Sequence, residues 1–136
     1  MRGAVGEIGG LLRILIADDQ QGFRNFIRRV LNSDQSLTVV GEALDGEDAV
    51  ELAEKLRPDM VLMDVDLPRL NGLEATRMIK ASAPLRGIVV IMLSTVDGAA
   101  YRAAAAKAGA DNFLPKTAPI VYILSTIRHW VRPPAT

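Results

Sequence analysis

Five short apolar runs recur along the chain, and stretches of helical period separate them. The runs are Leu11 to Ala17, Leu37 to Gly41, Met60 to Asp64, Ile88 to Leu93, and Asn112 to Leu114. Runs this short read as strands, and the apolar run that ends at Asp64 as one covered on both faces. After the first run, Phe23, Phe26, Ile27, Val30 and Leu31 share one side of a helix, with Arg24, Arg28 and Arg29 on its solvated faces. Asp45-Gly46 opens a second helix with Ala49, Leu52, Ala53 and Leu56 inward, and Pro58 stops it. A third, about Leu73 to Ala81, buries Ala75, Thr76 and Ile79 and is closed by Pro84. Asp97 is placed to cap an alanine-rich fourth helix, Gly98 to Ala108, and Gly109 to end it in a left-handed turn. The run Ala103 to Ala106 is helix propensity, not function. Pro115 puts the fifth strand at a sheet edge. Thr117 is placed to cap the last helix and Pro119 suits its first turn. Its stripe is Ile120, Ile123, Leu124, Ile127 and Val131, with Tyr122 opposite and Trp130 on the flank. His129, late in that helix, is a partner for the helix charge.

Strands alternating with helices imply βαβ units with right-handed crossovers. The expected fold is α/β: a three-layer, doubly wound (βα)5 sandwich around a five-stranded parallel sheet. With 136 residues there is room for one domain, expected over 11–132, behind a glycine-rich leader at 1–10 and before a short tail at 133–136.

Charge and composition remove several function classes. Sixteen basic residues balance sixteen acidic ones, so nothing electrostatic favours direct nucleic-acid binding by this segment. Cysteine is absent, which excludes a disulfide framework and thiol chemistry and suits a reducing cytoplasm. No apolar segment approaches membrane-spanning length.

The strand ends carry the chemistry. An open α/β sheet works at the carboxyl ends of its strands. Here the first strand ends in Asp18-Asp19, the third in Asp64, the fourth in Ser94 and the fifth in Lys116. Individually each has an ordinary explanation as a helix cap or a solvated lysine. Together they place three carboxylates at one rim, where they repel unless a cation intervenes. Mg²⁺ takes hard oxygen ligands from one or two carboxylates plus phosphate oxygens. Lys116 and Ser94 would serve phosphoryl oxygens, and an ionised aspartate can be the nucleophile. The combination points to phosphoryl transfer onto Asp64.

At these residues the sequence resembles the response-regulator receiver domains of two-component signalling. The resemblance covers about Leu12 to Val131 and rests on Asp18-Asp19, on Asp64 through Gly72, on Ser94-Thr95 and on Lys116. Gly41-Glu42-Ala43 and Asp45-Gly46 look like the subfamily that often carries a C-terminal helix-turn-helix output domain. The resemblance implies a flavodoxin-like strand order, 2-1-3-4-5. It implies that Asp64 accepts a phosphoryl group from a histidine kinase or phosphotransfer protein. Asp19 would ligate Mg²⁺ directly, Asp18 mostly through water, and Asp66 through its backbone carbonyl. Ser94 and Lys116 would bind phosphoryl oxygens. Phe113 matches the aromatic switch that couples the site to the face built from the fourth helix, fifth strand and fifth helix. That face is the one through which a homodimer or an output partner would be engaged. Such a module assists its own phosphorylation without being a turnover enzyme.

Two residues depart from the family pattern. Thr117 follows Lys116 where many members have proline, so no cis bond is expected there, and Thr95 is bulkier than usual beside the acceptor. Three other readings are open to the residues. Asp64-Val65-Asp66 is a D-x-D at a strand end, as in haloacid-dehalogenase-type phosphatases, although those place it on the first strand. A flavodoxin-like cofactor binder would need a phosphate-cradling loop where Asp18-Asp19 would repel phosphate. A receiver-like module that acts only by binding protein is the third.

Overall fold

A computed structural model describes residues 11–131. The expected leader at 1–10 and tail at 133–136 lie outside the described residues. Strands β1 (Leu12–Ala17), β2 (Leu37–Ala43), β3 (Met60–Asp64), β4 (Val89–Ser94) and β5 (Asn112–Pro115) form one sheet in the order β2-β1-β3-β4-β5. Every neighbouring pair is parallel. Helices α1 (Gln21–Asn32), α2 (Gly46–Leu56), α3 (Gly72–Ala81), α4 (Ala99–Ala108) and α5 (Ile120–Arg128) alternate with them.

Strand residues point alternately to the two faces, which splits the core in two. On one face Ile14, Ile16, Leu62, Ile91 and Leu114 meet Ile27 and Leu31 of α1 and Ile123 and Ile127 of α5. On the other, Leu15, Val61, Met63, Val90, Met92 and Phe113 meet Ala49 and Ala53 of α2, Ala75 and Ile79 of α3, and Ala105 of α4. Central β3 is buried along its whole length, as its uninterrupted apolar run requires. The order reverses between β1 and β3, so the crevice at their carboxyl ends is the point where such sheets bind ligands.

Local signals place the helices. Asp45 caps α2 by accepting from the Asp48 N–H, and Asn71 caps α3 by accepting from the Glu74 N–H. Gly109 ends α4 at φ 102°, a left-handed conformation that costs glycine little. Gly72 has a steric reason. A Cβ there would sit 2.0 Å from the carbonyl oxygen of Asp64, so only glycine lets α3 begin against the end of β3. Gly72→Ala is expected to cost roughly 1–3 kcal/mol, read by chemical denaturation, and to displace Asp64.

Several expectations are corrected. Strand β2 continues past Gly41 to Ala43, and β4 takes in Ser94 while Ile88 precedes it. Asp97 does not cap α4; Gly98 holds the cap position, and the Asp97 carboxylate accepts from Arg102 instead at 2.8 Å. Thr117 does not cap α5: Pro119 is the cap residue, without a side-chain bond. Ile120 is not in the buried stripe but exposed, because α5 docks only from Ile123 onward. Trp130, on the flank, is half-buried and packs on the α1/α5 core; Tyr122 is exposed as expected. Arg24 and Arg28 do not stand free in solvent. Both guanidinium groups close on Glu42 of β2. All peptide bonds among the described residues are trans, that between Lys116 and Thr117 included.

Candidate functional site

The residues singled out at the strand ends converge at one rim. Asp18 follows β1 and is fully buried; Asp64 closes β3 beside it and is nearly so. Asp19, next along the chain, is exposed. One carboxylate oxygen from each of Asp18, Asp19 and Asp64 lies within 4.8 Å of the other two. Lys116 reaches across from the end of β5. Its Nζ is 2.5 Å from Asp18 Oδ2 and 3.4 Å from Asp64 Oδ2, and its side chain is 7% exposed. Ser94, fully buried at the end of β4, accepts the Val96 N–H at 3.0 Å through its Oγ. The Lys116 N–H donates to the Ser94 carbonyl at 2.8 Å, which ties the two strand ends together.

The charges are not balanced. One ammonium faces two buried carboxylates and a third at the surface. Burial pushes the Asp64 carboxyl above its usual range, the Asp18 charge pushes it further, and Lys116 only partly offsets both. Asp18 Oδ2 has the ion pair with Lys116 but no hydrogen bond of good geometry, so one buried acceptor is left under-satisfied. Convergent hard oxygens, excess negative charge and an orphaned acceptor are what a small divalent cation neutralises. The residues present fit such an ion.

Asp66 lies just past the strand with its side chain exposed, and its N–H approaches Asp64 Oδ1 at 3.3 Å. That leaves its carboxylate out of the cluster. Phe113 is buried on the α2–α4 face of the sheet, away from the acids, with Arg102 4.9 Å above its ring. Sequence reasoning missed two contributors. Phe23 reads from its spacing as core, and Lys116 Nζ also lies 4.5 Å above its ring, a cation–π contact that helps hold the ammonium in place. Arg24 reads from its spacing as solvated, yet its Nη1 donates to the Asp18 carbonyl at 2.9 Å. The signal for Arg24 was an acid, Glu42, at the working end of β2, facing a helix with three arginines.

Comparison with known proteins decides the family. The family model described as response regulator receiver domain matches residues 14–128. The chain belongs to that family. This receiver is 41% identical over 108 residues to a protein-glutamate methylesterase/protein-glutamine glutaminase of Pyrococcus abyssi, covering 79% of this chain and 29% of that protein. It is 41% identical over 105 residues to the transcriptional regulatory protein DegU of Brevibacillus brevis, covering 77% of this chain and 44% of that protein. The receiver therefore spans less than half the length of these relatives. Among solved structures, the response regulator domain of Thermotoga maritima CheB superposes with a TM-score of 0.80 at 35% identity, covering 89% of this chain and 96% of that one. The signal receiver domain of the putative response regulator NarL from Mycobacterium tuberculosis gives 0.82 at 30% identity, covering 88% and 94%. The strand order and the parallel sheet agree with the receiver fold. No helix among the described residues is long and apolar enough to cross a membrane.

Proposed function

We propose that this receiver is a phosphoacceptor switch in which Asp64 takes a phosphoryl group from a phosphohistidine on a histidine kinase or phosphotransfer protein. The observation that carries this is the meeting of Asp18, Asp19, Asp64 and Lys116 at the one rim where β1 and β3 diverge. An Asp64 carboxylate oxygen attacks phosphorus, the P–N bond breaks, and the imidazole leaves with its electron pair and takes up a proton. Asp18, Asp19, Asp64 and the backbone carbonyl of Asp66 would hold Mg²⁺, with Asp18 acting mostly through water. The ion would offset the carboxylate repulsion and the charge of the incoming phosphoryl oxygens. Lys116 exchanges part of its pairing with Asp18 for a phosphoryl oxygen, and the Ser94 hydroxyl donates to another. Ser94 moving toward the phosphate is coupled to Phe113 and so to the α4-β5-α5 face. Tyr101 on α4 and Ile120, Val121 and Tyr122 on α5 are exposed there and would meet an output partner or a second copy. The module works in the cytoplasm and is not a turnover enzyme.

Incubation with Mg²⁺ and a small-molecule phosphodonor, followed by intact-mass measurement, tests this. One labile phosphate is expected on the wild type and none on Asp64→Asn. Equal labelling of both would remove Asp64 from its role. No labelling of either would leave a module that acts only by binding protein.

A further inference from the structure

Asp18 is fastened at three of its polar atoms. Its N–H donates to the Ala43 carbonyl at 3.0 Å, its Oδ1 accepts from the Gln20 N–H at 2.8 Å, and its carbonyl accepts from Arg24 Nη1 at 2.9 Å. Its Oδ2 is left to Lys116 Nζ. Of the three fastenings, the Arg24 bond alone comes from a side chain. That side chain is 13% exposed, and its Nε donates to Glu42 Oε1 at 2.9 Å. The other oxygen of Glu42 accepts from Arg28 Nε at 2.8 Å and from Arg28 Nη2. Burial pushes the Glu42 carboxyl up, but the bonds from Arg28 and Arg24 outweigh it and hold the group ionised.

A slip in strand register puts Glu42 there. Ile14 pairs with Val39 but the next residue, Leu15, pairs with Gly41. Strict alternation would send Val39 and Glu42 to opposite faces of the sheet. The extra residue, Val40, turns Glu42 to the α1 face, where the two arginines are. A bulge beside a functional rim that re-aims one side chain is a common use of the device.

Asp19 needs this support because its own side chain has no hydrogen-bond or ion-pair partner among the described residues. No other side chain holds its carboxylate, so the backbone from which it departs is the one restraint a neighbour supplies. The peptide joining Asp18 to Asp19 is planar, so fixing its oxygen fixes the plane from which Asp19 departs. Arg24 fixes that oxygen.

We propose that Arg24 is a positioning residue for the divalent ion: held by Glu42, it clamps the Asp18–Asp19 peptide and so aims the Asp19 carboxylate into the cluster. This rests on the metal-assisted role proposed above for Asp19. Simple electrostatics predicts the opposite sign for its removal. A guanidinium near a cation site repels the cation, so deleting it should tighten Mg²⁺ binding. A positioning role predicts weaker binding, because groups that orient metal ligands are typically worth a factor of ten or more in affinity.

Isothermal titration of the purified chain with MgCl₂ reads the sign directly. Arg24→Met is expected to bind Mg²⁺ about tenfold more weakly than the wild type. Arg28 still neutralises Glu42 in that variant. Arg24→Lys keeps the charge but not the two-bond fork, so it is expected to be weakened as well, and it serves if the methionine variant folds poorly. At saturating Mg²⁺ the phosphorylation rate from a small phosphodonor should return to the wild-type value, since the defect lies in metal binding and not in Asp64. Equal or tighter Mg²⁺ binding by both variants overturns the role given to Arg24. A wild type that binds Mg²⁺ but gains no phosphate counts against the phosphoacceptor reading instead, and the titrations still decide on Arg24.

Discussion

Asp64→Asn is expected to raise the stability of the metal-free receiver while abolishing its labelling. Asp64 sits almost buried next to Asp18, and both share one lysine ammonium. The ionised form is therefore less favourable in the folded chain than in the unfolded one, which is what its raised pKa records. An amide of the same shape removes the repulsion and leaves Lys116 to Asp18. Relieving a buried, imperfectly compensated charge is worth about 1–2 kcal/mol, a rise of roughly 4–8 °C in thermal midpoint for a domain of this size. The pH dependence has a definite sign. With the folded-state pKa above the ordinary 3.8, the native state binds the extra proton, so the wild type loses stability as pH rises through that window. The advantage of asparagine should be full at neutral pH and should fade as pH falls through the raised folded-state pKa, vanishing only below the ordinary 3.8, where both states of the wild type are protonated. Mg²⁺ should stabilise the wild type more than the variant and narrow the gap. Thermal melts across pH, with and without Mg²⁺, check all three. A variant no more stable than the wild type at neutral pH would mean that the carboxylates are already neutralised within the protein.

Lys116→Met is expected to do the reverse. The ammonium is the only cation within salt-bridge distance of Asp18 among the described residues, and Asp18 is fully buried. Removing one partner of a buried pair leaves the other charge uncompensated, at a cost of about 3–5 kcal/mol. The thermal midpoint should fall by roughly 12 °C or more, at about 4 °C per kcal/mol. Methionine keeps the length of the apolar stem while removing the ammonium and its contact with the Phe23 ring, so the loss reports charge more than volume. Mg²⁺ should rescue part of this stability, and a larger part than it adds to the wild type, because the variant holds the same three acids with no ammonium among them. Denaturation in EDTA and in Mg²⁺ measures the difference. A variant as stable as the wild type in EDTA would show that the Lys116–Asp18 pair contributes nothing to folding.

The chain itself determined the architecture and the membership of the rim. Apolar runs too short for helices, alternating with amphipathic periods, leave a doubly wound parallel sheet as the simple way to bury both strand faces. A parallel sheet brings all carboxyl ends to one edge, so Asp18, Asp19, Asp64, Ser94 and Lys116 could be placed together from order alone. Pro115 fixed β5 at the edge for the same kind of reason, since it lacks a donor.

What only the tertiary structure decided was which neighbour each polar group chose. The register slip at Val40 leaves no mark in a hydrophobic pattern, yet it turns Glu42 toward α1, where it pairs with Arg24 and Arg28 and withdraws Arg24 from solvent. Asp97 and Thr117 look like helix caps locally, but a cap depends on backbone dihedrals at the helix start, and Gly98 and Pro119 hold those positions. Ile120 fits the stripe of α5 by spacing and is exposed because the helix leaves the sheet at that end. Periodicity reports which side of an element is apolar. It does not report how far along its length the element is covered, nor which of several nearby charges a side chain will meet, because both depend on distances set by residues remote in sequence.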